Sequence, residues 1–414
     1  MVGGRVRPDE AARRLRASST LRRISAAAGD APLFLTGGSL RDRLLGLVTH
    51  DIDLVTTSDP RALAARLGHE LGGHPVRLGR EPHVAWRLAS DVGQVDLVGA
   101  QGSLHEDVLR RDLTVNAMLW RLPHGPLLDL TRGLEDLTAG RLRTVRYVNL
   151  VDDPVRVLRA VRLAATRSQL RLTAETERQL AQAAPGLEGA ARERVVDELR
   201  LLLGGPAVER ALLVAVRCRL LAPLLPAWEA FEGGADLAHL AGRLAAIARR
   251  RDGLGAGAVD VATAVLAAPA AGFPERWDLG AGAGALVRAG YPERRARRVS
   301  QAAELSVRLA RVLGTDLRES RGLAAEAGQL LPMSLAWAAA GNDEGEASVA
   351  AAASLLRWWR RFAARPPLLT GAEVAGLLDL AEGPARAAAI RRLHQARARG
   401  EVRTADQARD YLTR

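Results

Sequence analysis

Two aspartates, Asp51 and Asp53, stand in the apolar run DIDLV, and residues two apart on a strand share a face. Carboxylates held that close repel each other unless a cation lies between them, and hard divalent ions take oxygen ligands. Just upstream, the strand-like LFLT runs into Gly37-Gly38 and a short helical stretch. Such a turn opens backbone N–H groups at a helix start, where an anion can sit. A carboxylate pair that binds metal beside a phosphate cradle is equipment for phosphoryl or nucleotidyl transfer. Asp51 and Asp53 are therefore the expected catalytic residues and metal ligands. Each half of the pattern is common alone, since D-x-D is usually a solvated strand edge. The order strand, turn, helix, strand points to chemistry. Asp96, in the later strand-like QVDLV, is a candidate third carboxylate on the same face.

These groups need a scaffold. Residues 8–28 read as one amphipathic helix, and from Leu33 to about Leu122 strands alternate with short helices: LFLTG, DIDLV, the helix PRALAARLGHEL, HPVRL, HVAWRL and QVDLVGA. That pattern predicts a small mixed sheet. From about Leu134 onward the chain is rich in Ala, Leu and Arg at helical spacing, with Gly and Pro clusters at 203–206, 222–226, 252–257, 269–274 and 366–371 marking helix ends. The expected fold is α+β. A mixed-sheet catalytic head (1–125) precedes an all-α neck (126–204), body (205–365) and tail (366–414).

At 414 residues the chain is too long for one ordinary core. Its net charge is +12 with no lysine, so arginine carries all 59 basic charges. Guanidinium suits bidentate and stacked contacts with phosphates and bases, and a basic surface implies a polyanionic partner. Arginine and alanine enrichment is also what compositional bias in the coding sequence produces. The lone Cys218 lies in an apolar helical pattern and permits no intrachain disulfide, which fits a reducing compartment. No apolar run reaches the length of a membrane span. A cytoplasmic protein without a membrane partner is expected. The eight histidines show no metal-ligand spacing, and the only His-Asp dipeptide is His50-Asp51.

GGSLRDRLLG…DIDLVT resembles the signature of class II tRNA nucleotidyltransferases, a family that includes bacterial poly(A) polymerases. Asp107–Met118 (DVLRRDLTVNAM), Asp152–Arg162 (DDPVRVLRAVR) and Glu193–Leu199 (ERVVDEL) resemble its second, nucleotide-selecting and neck motifs. The stretch from Leu369 resembles its C-terminal tail, whereas roughly 205–365 matches no motif. The resemblance implies Mg²⁺ at Asp51 and Asp53, and phosphate contacts at Gly38 and Arg41. It also implies a nucleotide contact at Arg111, with Asp112 and Asn116 ordering local hydrogen bonds. Asp153 and Arg156 would pair with the Watson–Crick edge of the incoming base, as arginine donates to cytosine O2 and N3 and aspartate accepts from N4. Asp152 stands where the family has glutamate. Arg159 and Arg162 continue the stripe at helical spacing. Glu193, Arg194 and Glu198 would brace the neck.

The implied activity is addition of some or all of the 3′-terminal C-C-A to the acceptor end of tRNA from CTP and ATP. Only LVGAQGSLHE separates Asp96 from Asp107, where many relatives carry a long loop tied to switching from C to A addition. That leaves open a split enzyme, with the two C residues as the favoured product. A bacterial poly(A) polymerase has the same head but another primer. A binding-only protein on a decayed head would not need intact Asp51, Asp53, Arg111, Asp153 and Arg156. A small-molecule nucleotidyltransferase would not need the long basic helical part.

Overall fold

The computed structural model describes residues 8–79, 84–204, 207–225, 278–341 and 345–414. The chain divides into two compact units, Met1–Leu187 and Glu188–Arg414. The helix-ending clusters expected at 252–257 and 269–274 lie outside the described residues.

The first unit is built on a seven-stranded sheet in the order β3-β4-β5-β2-β1-β6-β7. Its strands are β1 (Leu33–Thr36), β2 (Asp51–Thr56), β3 (His74–Leu78), β4 (Ala85–Ser90), β5 (Gly93–Gly99), β6 (Met118–Arg121) and β7 (Leu127–Asp129). Only β2 and β5 run parallel; the other neighbours are antiparallel. This is the expected mixed sheet, extended by β6 and β7, which the sequence pattern had not separated.

The expected single helix over 8–28 is two, α1 (Pro8–Ala17) and α2 (Ser19–Ala28). Ser18 ends the first and caps the second, its hydroxyl accepting the Leu21 N–H, because a serine side chain competes for backbone donors at a helix start. Helix α3 (Gly37–Leu44) follows β1 directly, and α4 (Pro60–Leu71) follows β2. Asp59 caps α4 and Pro60 supplies its first turn.

Alternation along β2 sorts its residues. Ile52 and Leu54 are fully buried on one face; Asp53 points to the other. Next come α5 (Leu104–Leu109), α6 (Gly133–Ala139), α7 (Val148–Asp152), α8 (Val155–Thr166) and α9 (Ala174–Ala183). The stretch expected to be all helical also holds a two-residue parallel pair, β8 (Arg141–Leu142) with β9 (Arg171–Leu172).

The second unit is helical throughout its described residues. It opens with α10 (Arg192–Gly204) and α11 (Val208–Arg217) and ends with helices Gly371–Leu378, Pro384–Arg399 and Ala405–Thr413. Those last three share a small apolar core of Leu369, Val374, Leu393, Ala396, Val402 and Ala408. Cys218 is buried, as its apolar pattern predicts. No described helix is long and apolar enough to cross a membrane.

Candidate active site

Asp51 and Asp53 open on one cavity of about 370 Å³ that also exposes Gly38, Arg41, Asp96, Asp112, Arg159 and Arg162. Strand alternation brings the two carboxylates to the same side, as their spacing predicts. Parallel pairing sets Asp53 opposite Asp96 on β5, and antiparallel pairing sets Asp96 opposite Arg87 on β4. One row across three strands therefore reads Asp53, Asp96, Arg87. Arg87 clamps Asp96 with two bonds of 2.8 Å, so Asp96 is on the expected face but already shared with a cation.

The turn at Gly37 holds Asp53 in place. Gly37 has φ +61°, and a Cβ there would sit 3.2 Å from Asp53 Oδ2, which explains glycine at this position. Ser39 N–H donates to Asp53 Oδ2 at 3.1 Å. Asp53 N–H donates back to Ser39 Oγ at 2.9 Å, and that hydroxyl donates to Thr36 O at 3.0 Å. The anion site expected at this helix start is thus partly filled by the protein itself, since one N–H serves the Asp53 carboxylate.

Burial first, then the neighbouring Asp96 and Asp51 charges, push the Asp53 carboxyl above its ordinary value, against the Ser39 bonds that lower it. Arg43, which donates to the main-chain oxygens of Ser39, Thr49 and Asp51, adds positive charge behind the pair. Replacing Ser39 with alanine removes the hydroxyl that accepts the Asp53 N–H and donates to Thr36 O, while the backbone N–H to Asp53 Oδ2 remains. The expected cost is about 1–2 kcal/mol in urea unfolding, with roughly a tenfold drop in turnover as Asp53 loosens.

Arg41 returns to the turn, as its spacing predicts: its guanidinium lies 3.4 Å from where a Gly38 Cβ would be. It is buried and donates to Asp42 Oδ1 at 2.9 Å and to Asn116 Oδ1 at 2.6 Å. Arg167, from the end of α8, donates to Asp42 Oδ2 at 2.8 Å. Burial disfavours the Asp42 charge, but Arg167 and Arg41 together hold its carboxyl below the ordinary value.

Asp112 orders its surroundings, accepting from Leu113 N–H at 2.8 Å and Asn116 Nδ2 at 3.0 Å. Its second oxygen is buried without a hydrogen bond, 3.7 Å from Arg159. Burial opposes that charge too, and Arg159 then Asn116 keep the carboxyl low.

A neighbouring cavity of about 240 Å³ joins Gly37, Gly38, Arg111, Asp112, Arg156 and Arg159. Arg111, just past the end of α5, is held by Asp107 of that helix at 2.8 Å. Asp153 and Arg156 form an ion pair with each other at 3.4 Å, and Asp153 itself lines neither cavity. Arg156 also donates to the main-chain oxygens of Arg110 at 2.6 Å and Asn149 at 3.2 Å. Arg159 lines both cavities, so the arginine stripe of α8 faces the site. Asp152 is exposed and lines neither. Glu193, Arg194 and Glu198 lie on α10, in the second unit.

The donor set suits a hard cation. Among the described residues no group of three or more His, Cys, Asp or Glu forms a metal cage. A carboxylate pair that leaves the remaining coordination to phosphate and water is how Mg²⁺ is usually held.

Sequence reasoning missed Ser39, Asp42, Arg87 and Arg167. Ser39 had a signal, a hydroxyl directly after a double glycine, where serine bonds its own backbone turn. Arg87 and Arg167 had none, because their partners are set by strand register and by a contact 125 residues apart.

Residues 33–143 match the family described as Poly A polymerase head domain, and residues 169–232 match one described as a probable RNA- and SrmB-binding site of polymerase A. An A-adding tRNA nucleotidyltransferase of Deinococcus radiodurans is 31% identical over 92% of this chain and 94% of its own. A CC-adding tRNA nucleotidyltransferase of Synechocystis is 39% identical, over 44% of each chain, so that match spans less than half of either protein. The solved Thermotoga maritima CCA-adding enzyme complexed with tRNA shares the fold, with a TM-score of 0.63 at 21% identity, covering 99% of this chain and 96% of that one. With a relative matched over nearly its whole length, the chain belongs to the family of class II tRNA nucleotidyltransferases and bacterial poly(A) polymerases.

Proposed function

We propose that this protein is an RNA 3′-end nucleotidyltransferase that adds some or all of the terminal C-C-A to the acceptor end of tRNA, using CTP and ATP. The observation that carries it is the opening of Asp51 and Asp53 onto the cavity that holds Gly38 and Arg41, beside the Asp153–Arg156 couple. Asp51 and Asp53 would hold the family's divalent ions, which we take to be Mg²⁺. When bound, these lower the pKa of the primer hydroxyl and neutralise the triphosphate and leaving pyrophosphate.

The remaining work falls to the protein's own groups. Gly38 lets phosphate approach the backbone, and Arg41 lends charge from within its buried network. Arg111 contacts the nucleotide while Asp107 fixes its angle. Asp153 accepts from, and Arg156 donates to, the edge of the base. Arg159 and Arg162 supply further cations to the triphosphate. We divide the labour along the chain as catalytic head (1–125), neck (126–204), RNA-holding body (205–365) and tail (366–414), acting in the cytoplasm.

The β5–α5 connection is short, running from Ala100 to Ser103. This supports a split enzyme that adds the two C residues. The near full-length similarity to an A-adding enzyme favours the opposite half-reaction, so one assay decides. The protein is incubated with tRNA lacking its terminal triplet, and with tRNA ending in C-C, with each labelled nucleotide separately. CTP incorporation on the first substrate with no ATP incorporation on the second is expected. ATP incorporation on the second alone reverses the assignment, and long A-tracts on unrelated RNA make the protein a poly(A) polymerase.

A further inference from the structure

The first unit carries a larger depression, of about 880 Å³, bordered by Arg61, Arg77, Trp86, Gln101 and Arg110. It begins on the face of the sheet opposite Asp53. Trp86 pairs in register with Arg77 on β3 and Leu97 on β5. The next residue, Arg87, pairs with Asp96, so Trp86 and Asp96 point to opposite sides. Trp86 is half-buried, and Arg61, Arg77 and Arg110 are exposed. Asp59 also lines the depression, but its Oδ1 accepts the Arg61 N–H as the cap of α4.

At the β5–α5 connection this depression meets the active site. Gln101 and Arg110 line it and also line the cavity that contains Gly37, Gly38 and Arg156. Arg110 faces both with one residue, its side chain reaching the Gln101 oxygen at 3.5 Å while its main-chain oxygen holds Arg156.

A half-buried indole flanked by guanidinium groups from different elements has the chemistry of a single-stranded nucleic-acid site. The ring stacks a base of any identity, and cations spaced along a groove meet successive phosphates. A lone mononucleotide would instead call for cations converging on one point.

We propose that this groove holds the unpaired 3′ segment of the RNA substrate, with a base on Trp86 and the backbone along Arg77, Arg61 and Arg110, as the strand leads away from the catalytic carboxylates. The proposal rests on the RNA-extending function given above. The test is anisotropy with full-length protein and a labelled RNA hairpin carrying a short single-stranded 3′ extension, against the same hairpin with a blunt end. Wild type is expected to favour the extension. Trp86→Ala and Arg77→Glu should each remove most of that preference, weakening binding on the order of tenfold, with the KM for CTP unmoved and Trp86→Phe largely retaining it. Preference undiminished in both variants overturns the proposal. So does release of the extended RNA from wild type by CTP or ATP alone, which assigns the groove to a mononucleotide. Arg77→Glu, at an exposed position, answers the same question where Trp86→Ala fails to fold. Because binding is read without turnover, a protein that grips the extension but incorporates nothing refutes the enzymatic function and leaves the groove standing.

Discussion

Asp53→Asn is expected to reduce single-turnover incorporation of labelled CTP on the order of 10³-fold, while the metal-free protein melts at a higher temperature at pH 7. The two effects share one cause. Asp53 is packed under the Gly37 turn with Asp51 and Asp96 close by, and burial followed by those like charges raises its carboxyl above the ordinary value. In the absence of a cation, ionised Asp53 therefore opposes folding at neutral pH, and the neutral amide relieves that opposition. Asparagine retains an oxygen for the Ser39 N–H, so the turn keeps its shape. The charge needed for the metal is gone. Loss of activity with a lowered melting temperature would instead mean that Asp53 works as a structural residue.

Asp42→Ala should be the most damaging substitution to the fold of the first unit, costing about 3 kcal/mol in urea unfolding. Asp42 is the counter-charge of the buried Arg41 and of Arg167. Its removal strands a guanidinium that cannot shed its proton and, among the described residues, leaves it Asn116 as side-chain acceptor. The sign of the pH dependence follows from the depressed carboxyl. The stabilisation is fully present above the ordinary aspartate value of 3.8 and is lost as pH falls through the lower folded value. Wild type should therefore lose stability in acid in a step that Asp42→Ala lacks. If Arg167→Ala costs as much as Asp42→Ala, the α8 arginine rather than the buried Arg41 carries the interaction.

Much of the sheet of the first unit is legible in the sequence, and the reason is periodicity. LFL and the LV of DIDLV are apolar runs, and DIDLV sets its two acids on the face that alternation requires. The same logic fails where partners are distant. Nothing near Asp96 in the chain announces Arg87, because the pair depends on β4 and β5 meeting in one register out of several. Arg167 finds Asp42 only after α8 packs back on the turn. The short β6 and β7 were hidden because their burial comes from neighbours rather than from a long alternating run. The break at Ser18 was masked by an amphipathic pattern that continues across it, though serine at a helix start is its own signal.

Arg156 is gripped by two main-chain oxygens, those of Arg110 and Asn149. A peptide carbonyl persists whatever side chain its residue carries. The pose of this guanidinium is therefore insulated from point substitution at Arg110 or Asn149, and Asp153, 3.4 Å away, is its side-chain prop. Re-aiming this arginine should thus call for insertions, deletions, remodelled helix ends or a change at Asp153 in preference to single replacements of Arg110 or Asn149.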